Sequence, residues 1–361
     1  MSNFFYGRSW EINECWRLLT QGSNLLILGP RRIGKTQLCR RLLERAESLK
    51  WRTAFVDIAG CLDETSVVDK IESATDTLMQ KIGAFARRLD VDVANVGNAK
   101  LNALAWEQRG LARFQELASE HAPALLVIDE GPVFLQRLLA RDSKAGARWL
   151  HAMRDWRESA PHLRVVMAGS IGLHTLAGRY QLTTAINNLK PFQLEAFSNE
   201  DTPALLTAMA EHKQLQLSPE AVLRLMQLVG WHVPHYYDEL IDAASQCARQ
   251  TQLNTSAQID AGLERMLSNP GSFLKHWHDR LSDHGKAEAE AMRKLLHQIA
   301  PESIGQMRLS LGPIKNQTID HYLQLLVDEG YLAESRTDIS HSFRFRSGVV
   351  RNWWLRRGKT S

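Results

Sequence analysis

Apolar residues change their spacing along the chain, and each change marks a different kind of element. Between Trp10 and Gln21 they recur at three- and four-residue intervals (Ile12, Cys15, Trp16, Leu19), which predicts an amphipathic helix with Ser9 as its N-cap and Gly22 as its stop. Directly afterwards Asn24-Leu-Leu-Ile-Leu-Gly29 is apolar without alternation, the pattern of a strand buried on both faces of a parallel sheet. The runs Thr53–Ile58, Ala124–Asp129 and Leu163–Ala168 read the same way. Helical spacings long enough for crossovers separate them, so an α/β layered fold is expected.

From Phe197 onward such runs vanish. Glu200 to about Leu267 predicts several helices, with Leu205, Leu206, Leu223, Leu225, Leu228, Leu240 and Ile241 as apolar positions. Asn269-Pro270-Gly271 punctuates them. Helices are then expected over Ala287–Ile299, near Ile304 and over Gln317–Glu329, followed by two strands, Tyr331–Ala333 and Ser342–Arg346. Three helices and a β-wing predict a winged helix-turn-helix. The expected organisation is a core over 1–196, a helical domain over 197–268 and a winged-helix domain with a basic tail over 269–361.

A chain of 361 residues exceeds what one core usually supports, and a composition of 44% hydrophobic and 23% charged residues excludes collagen-like, low-complexity and disordered classes. Cys15, Cys39, Cys61 and Cys247 show no paired spacing, against both a disulfide framework and a zinc ribbon. The first residues turn polar before an apolar signal core develops, and no apolar stretch of about 18 residues occurs. A cytoplasmic protein with no membrane contact is expected. Net charge is +4, yet Arg344, Arg346, Arg351, Arg356, Arg357 and Lys359 alone carry more than that, so the basicity is local and the rest is net negative.

The chemistry concentrates where the first buried strand meets a helix. Gly29-Pro-Arg-Arg-Ile-Gly-Lys-Thr36 satisfies G-x-x-x-x-G-K-[ST] in the strand–loop–helix context that pattern requires. Glycines let the backbone curl so that successive N–H groups face phosphate oxygens; Lys35 brings a mobile positive charge to the β/γ-phosphates and the Thr36 hydroxyl ligates Mg²⁺. The nucleotide-binding set is Gly29, Pro30, Arg31, Arg32, Ile33, Gly34, Lys35, Thr36 and Gln37, with ATP and Mg²⁺ as the implied ligands. A second strand, Leu125-Leu-Val-Ile-Asp-Glu130, delivers two carboxylates at its C-terminal edge, where open α/β sheets bind ligands. Asp129 suits Mg²⁺, and Glu130 suits the base that orients and deprotonates an attacking water. Ser170, at the end of a third strand, is either a γ-phosphate sensor or the cap of the next helix.

Phe5-Tyr-Gly-Arg8, GPRRIGKT, LLVIDE, AGSIGL and the later Gly230-x-x-x-Pro234 together resemble the archaeal-type P-loop ATPases of the AAA+ and STAND group, within the ASCE class. The resemblance implies a parallel sheet with a strand inserted between the two Walker strands, an adenine pocket lined by Tyr6, Gly7 and Arg8, and a lid whose Pro234 approaches the base. Three residues separate Gly230 from Pro234 where the family has one, and helix punctuation is the other reading of that pair. Arg148, Arg154, Arg157 and Arg179 are the arginine-finger candidates, each weighed against an ordinary solvated role. His232, His235 and Asp238 have metal-like spacing but no fourth ligand nearby, and read as packing or lid contacts.

Along the Gln317–Glu329 helix Ile319, Leu323, Leu326 and Val327 face inward, while Asn316, Gln317, Asp320, His321 and Gln324 face outward beside Lys315. A net acidic recognition helix is penalised near phosphates. Non-specific DNA contact therefore falls to Arg344, Arg346, Arg351, Arg356 and Arg357; a protein effector, self-association or docking within the chain compete with it. The expected function is a slow Mg²⁺-dependent ATPase working as a nucleotide-controlled switch, with an ATP-dependent DNA-binding regulator or mobile-element protein as the alternative.

Overall fold

The unbroken apolar run after Gly22 forms β1 (Asn24–Leu28), with Leu25, Leu26 and Ile27 fully buried. Each such side chain contributes roughly 1.5–3 kcal/mol of burial. The computed structural model describes residues 5–88, 105–169, 173–269, 271–302, 304–305, 309–312, 316–337 and 341–357. They divide into two units, Arg8–Leu194 and a second formed by Met1–Gly7 with Glu195–Ser361.

In the first unit α1 (Ser9–Thr20) precedes β1, followed by α2 (Lys35–Ser48), β2 (Arg52–Asp57), α3 (Glu64–Arg88), α4 (Trp106–Leu117) and β3 (Ala124–Asp129). Then come α5 (Gly131–Arg141), α6 (Ser143–Ser159), β4 (Leu163–Ala168), α7 (Leu173–Arg179) and β5 (Leu189–Gln193). The five strands are parallel in the order β2-β3-β4-β1-β5. β4 thus lies between β1 and β3, the inserted strand that the resemblance implies, in register Leu25↔Val166 and Leu126↔Val165. Helices α1 and α2 cover one face of the sheet. On the other, α3 to α6 pack Phe114, Phe134, Trp149, Met153 and Trp156 against Leu26, Leu126 and Met167. Doubly covered strands explain the absence of alternation in the sequence.

Some expectations need correction. Ser9 is not the N-cap of α1; that position is Arg8, with φ 61 and no side-chain cap. β5 escaped the pattern because Lys190, Pro191 and Gln193 are exposed on an edge strand.

The second unit contains α8 (Thr202–His212), β6 (Gln216–Leu217), α9 (Pro219–Val229), α10 (Pro234–Ala248), β7 (Gln252–Leu253) and α11 (Ser256–Ser268). The two short strands pair in parallel, too brief to leave a sequence signal. α9 buries Ala221, Leu225 and Val229 at four-residue intervals, which leaves the expected core residue Leu223 60% exposed. After α11 come α12 (Leu274–Asp279), α13 (Lys286–Ile299), β8 (Ile304–Gly305), α14 (Asn316–Asp328), β9 (Leu332–Arg336), β10 (His341–Phe345) and α15 (Gly348–Arg357). The segment at Ile304 is a strand rather than a helix, because Ile304 and Gly305 pair antiparallel with Phe343 and Ser342. The stretch read as a basic tail is helical as far as Arg357, because Val349, Val350, Trp353 and Trp354 bury one face of it. No helix among the described residues is long and apolar enough to cross a membrane.

Candidate functional site

The loop between β1 and α2 owes its shape to backbone dihedrals. Gly29 sits at φ 146, where a Cβ would come within 2.8 Å of the Leu194 carbonyl oxygen, and Gly34 caps α2 at φ 106. Both conformations lie outside what L side chains readily adopt. Arg32 accepts φ 68 between them, a left-handed residue whose cost of roughly 1–3 kcal/mol recurs at functional loops. Ile33 and Pro30 are buried and anchor the loop, whereas Arg31, Arg32, Gly34, Thr36 and Gln37 keep partial access.

Lys35 begins α2 and is only 6% exposed. Its Nζ donates to the Gly29 carbonyl at 2.8 Å and to the Pro30 carbonyl at 2.9 Å, so the ammonium is held inside the curl of its own loop. The Thr36 hydroxyl donates to Asp129 Oδ2 at 2.6 Å, across 93 residues of sequence. That bond joins the loop to the end of β3, where Asp129 is 5% exposed and its Oδ1 accepts the Glu130 amide at 3.0 Å. Glu130 caps α5 in a left-handed conformation, φ 56, half-buried at the same edge. Asp57 at the end of β2 is in register with Asp129. Beneath the loop, burial first and then the Asp129 charge push the Cys39 thiol well above its ordinary range.

Hydroxyl and carboxylate converging within one hydrogen bond form the hard oxygen donor set that Mg²⁺ takes when phosphates supply the rest. Among the described residues no group of three or more His, Cys, Asp or Glu gathers as a metal site. His232, His235 and Asp238 take separate partners. His232 Nδ1 meets the Tyr237 hydroxyl and Nε2 the Asn199 side-chain oxygen, both at 2.5 Å. Asp238 pairs with Lys213 at 2.8 Å, and the His235 ring packs edge-on against Phe273.

The other sequence candidates separate. Ser170 lies outside the described residues. Tyr6 and Gly7 precede α1, Gly7 at φ 64, while Arg8 Nη1 pairs with Glu11 at 2.6 Å. Gly230, at φ 66, stops α9, and Pro234 opens α10. Arg148 pairs with Glu64 at 3.0 Å and Arg154 with Glu158 at 2.8 Å, while Arg157 is buried. Arg179 ends α7.

Residues 1–310 match the model of the AAA-like domain. The Walker-type ATPase PABY2304 of Pyrococcus abyssi is similar over 97% of this chain and 96% of its own, with a TM-score of 0.70 at 14% identity. The ORC2 protein of Aeropyrum pernix, solved as ADPNP and ADP complexes, is similar over 99% of this chain and 96% of its own, with a TM-score of 0.59 at 16% identity. These likenesses support an α/β P-loop NTPase fold. No curated protein matches the chain.

Proposed function

The chain belongs to the AAA-like domain family, and on that premise we propose that it binds ATP with Mg²⁺ and hydrolyses it slowly to ADP and phosphate, as a nucleotide-controlled switch. The observation that carries the reading is the 2.6 Å hydrogen bond from Thr36 to Asp129, which unites the phosphate-loop motif with the acidic strand end. Gly29, Pro30, Arg31, Arg32, Ile33, Gly34 and Gln37 form or flank the phosphate cradle. Tyr6, Gly7, Arg8 and Pro234 remain the adenine candidates and Ser170 the sensor candidate.

Thr36 Oγ1 and Asp129 would hold Mg²⁺, which when bound draws charge from the phosphate oxygens. Lys35 exchanges two neutral carbonyls for phosphate oxygens, a stronger charge-assisted contact. Glu130 accepts a proton from water in line with the γ-phosphate; the left-handed turn fixes its backbone directly after Asp129 at the start of α5. The test is Glu130→Gln, expected to keep ATP binding and lose phosphate release by roughly 10²–10⁴-fold. Undiminished release would remove Glu130 from the catalytic role.

The segment 269–361 is read as a winged helix from α13, α14 and the antiparallel β8-β10-β9 sheet. Of its five candidate DNA-contacting arginines, Arg346 donates to the Leu332 carbonyl and lies over Trp231, Arg351 holds the Ala300 and Pro301 carbonyls, Arg356 pairs with Glu264 and Arg357 covers Trp353. Arg344 is exposed. Arg346 and Arg351 are half-buried in contacts to protein, and that commitment, with Arg356 and Arg357 exposed beside theirs, favours docking within the chain, or a protein effector, over non-specific DNA. A flat dependence of DNA affinity on salt would bear this out; a steep negative slope would restore the DNA reading. A cytoplasmic location and self-association complete the proposal.

A further inference from the structure

At the amino ends of the strands, opposite the edge that carries Thr36 and Asp129, the α1–β1 turn, the end of α6 and the starts of β4 and β5 enclose an open cavity of about 610 Å³. That volume lies within the range of small-molecule sites, roughly 300–1,000 Å³. Arg157, Arg164 and Lys190 line it against one acid, Glu158, which Arg154 already engages at 2.8 Å. Ser23, Asn24 and Asn187 add neutral polar groups to the wall.

The charge balance is unusual. Arg157 is 3% exposed, and its Nη2 donates only to neutral oxygens, Asn188 Oδ1 at 2.7 Å and the Ala185 carbonyl at 3.4 Å. Its Nε and Nη1 are buried with no hydrogen-bond partner. Burial drags its pKa down to about 10. Arg164 likewise spends its donors on backbone carbonyls, those of Leu19, Pro161 and Leu163. No ion pair joins either guanidinium to a carboxylate among the described residues. A buried charge is costly unless paired; Glu158 and Asp155 act on Arg157 only through space, and Arg157 lines the cavity.

We infer that this cavity is a second anion site, separate from the nucleotide edge, taking a small phosphoryl or carboxylate dianion. Arg164 and Lys190 supply the direct contacts. Arg157, closed off from solvent at Nε and Nη1, acts through its charge across a low-dielectric wall.

Isothermal titration of the Lys35→Ala protein, which weakens the phosphate loop's own attraction for anions, tests this with inorganic phosphate and, separately, succinate at low ionic strength. One saturable equivalent at millimolar affinity or tighter is expected for at least one probe. Binding should fall at least tenfold when Arg164→Gln and Lys190→Gln are added, with circular dichroism unchanged. Lys190 is exposed and Arg164 half-buried, whereas the buried Arg157→Ala risks the fold. Phosphate alone identifies a phosphoryl ligand, succinate alone a carboxylate, and both a general dianion site. No saturable binding, or binding that survives the double substitution, overturns the inference; either result is independent of ATP hydrolysis.

Discussion

The two edges of the five-stranded sheet handle charge in opposite ways. At the carboxyl edge a cation, a hydroxyl and two acids come from two short segments, Lys35-Thr36 and Asp129-Glu130: Lys35 closes on its loop carbonyls and Thr36 on Asp129. At the amino edge Arg157, Arg164 and Lys190 arrive from α6, β4 and β5, and their charges are alike. An edge of mixed sign can close internally before its ligand arrives. At the amino edge the one lining acid, Glu158, is already engaged by Arg154, so the excess positive charge is left for a ligand to offset.

The sharpest way to separate the edges is Lys35→Ala, which should weaken ATP binding on the order of a hundredfold by titration calorimetry, since charged hydrogen bonds contribute roughly 1.5–3 kcal/mol each. Arg164→Gln with Lys190→Gln should leave that affinity unaltered; a parallel loss would merge the two edges into one site. Next in size, Thr36→Val leaves the buried Asp129 carboxylate without its hydroxyl donor. Thermal unfolding should show a loss of about 1–3 kcal/mol, together with a weakened response of ATP binding to Mg²⁺. Gly29→Ala should cost a similar or slightly smaller amount through its φ of 146 and the contact with the Leu194 carbonyl. Stability equal to the parent would mean the loop relaxes freely.

The smallest effects are pH responses of the second unit, useful as a background for the edges. Burial pulls the His284 imidazole down, but its hydrogen bond to Glu329 and that carboxylate's charge more than reverse this, leaving it above its ordinary 6.5. Its stabilisation is therefore complete below pH 6.5 and fades as pH rises through the raised value. Burial holds His232 below 6.5, so its contribution is present above that pH and fades as pH falls through the lowered value. Melting curves of His284→Gln and His232→Asn across pH 5–8 should lose these opposite slopes while ATP affinity keeps its pH profile.

Much of the carboxyl edge was legible in the linear chain. Asn24–Leu28, Ala124–Asp129 and Leu163–Ala168 are strands where unbroken apolar runs said so, because both faces of each are covered. Gly29 to Thr36 announced a curled loop because its backbone needs residues without a Cβ at two points. The helix over Gly348–Arg357 was also readable, since Val349, Val350, Trp353 and Trp354 repeat at helical spacing, yet the arginines around them drew the eye to charge. Leu223 and Ile304 misled for a different reason. Apolarity alone does not say which side of a helix meets its neighbour, or whether two residues will find a strand to pair with.

Local sequence determined what local forces control: the doubly buried strands, the loop that only glycines permit, and the identity of the groups at the sheet's carboxyl edge. Tertiary structure alone decided the partners. It brought Thr36 against Asp129 over 93 positions, drew Arg346 and Arg351 of the candidate DNA-contacting arginines into half-buried contacts with protein, and gathered three cations around a cavity at the amino edge. Backbone preference acts over a few residues, whereas the cost of an unpaired charge depends on every atom that chain folding places around it.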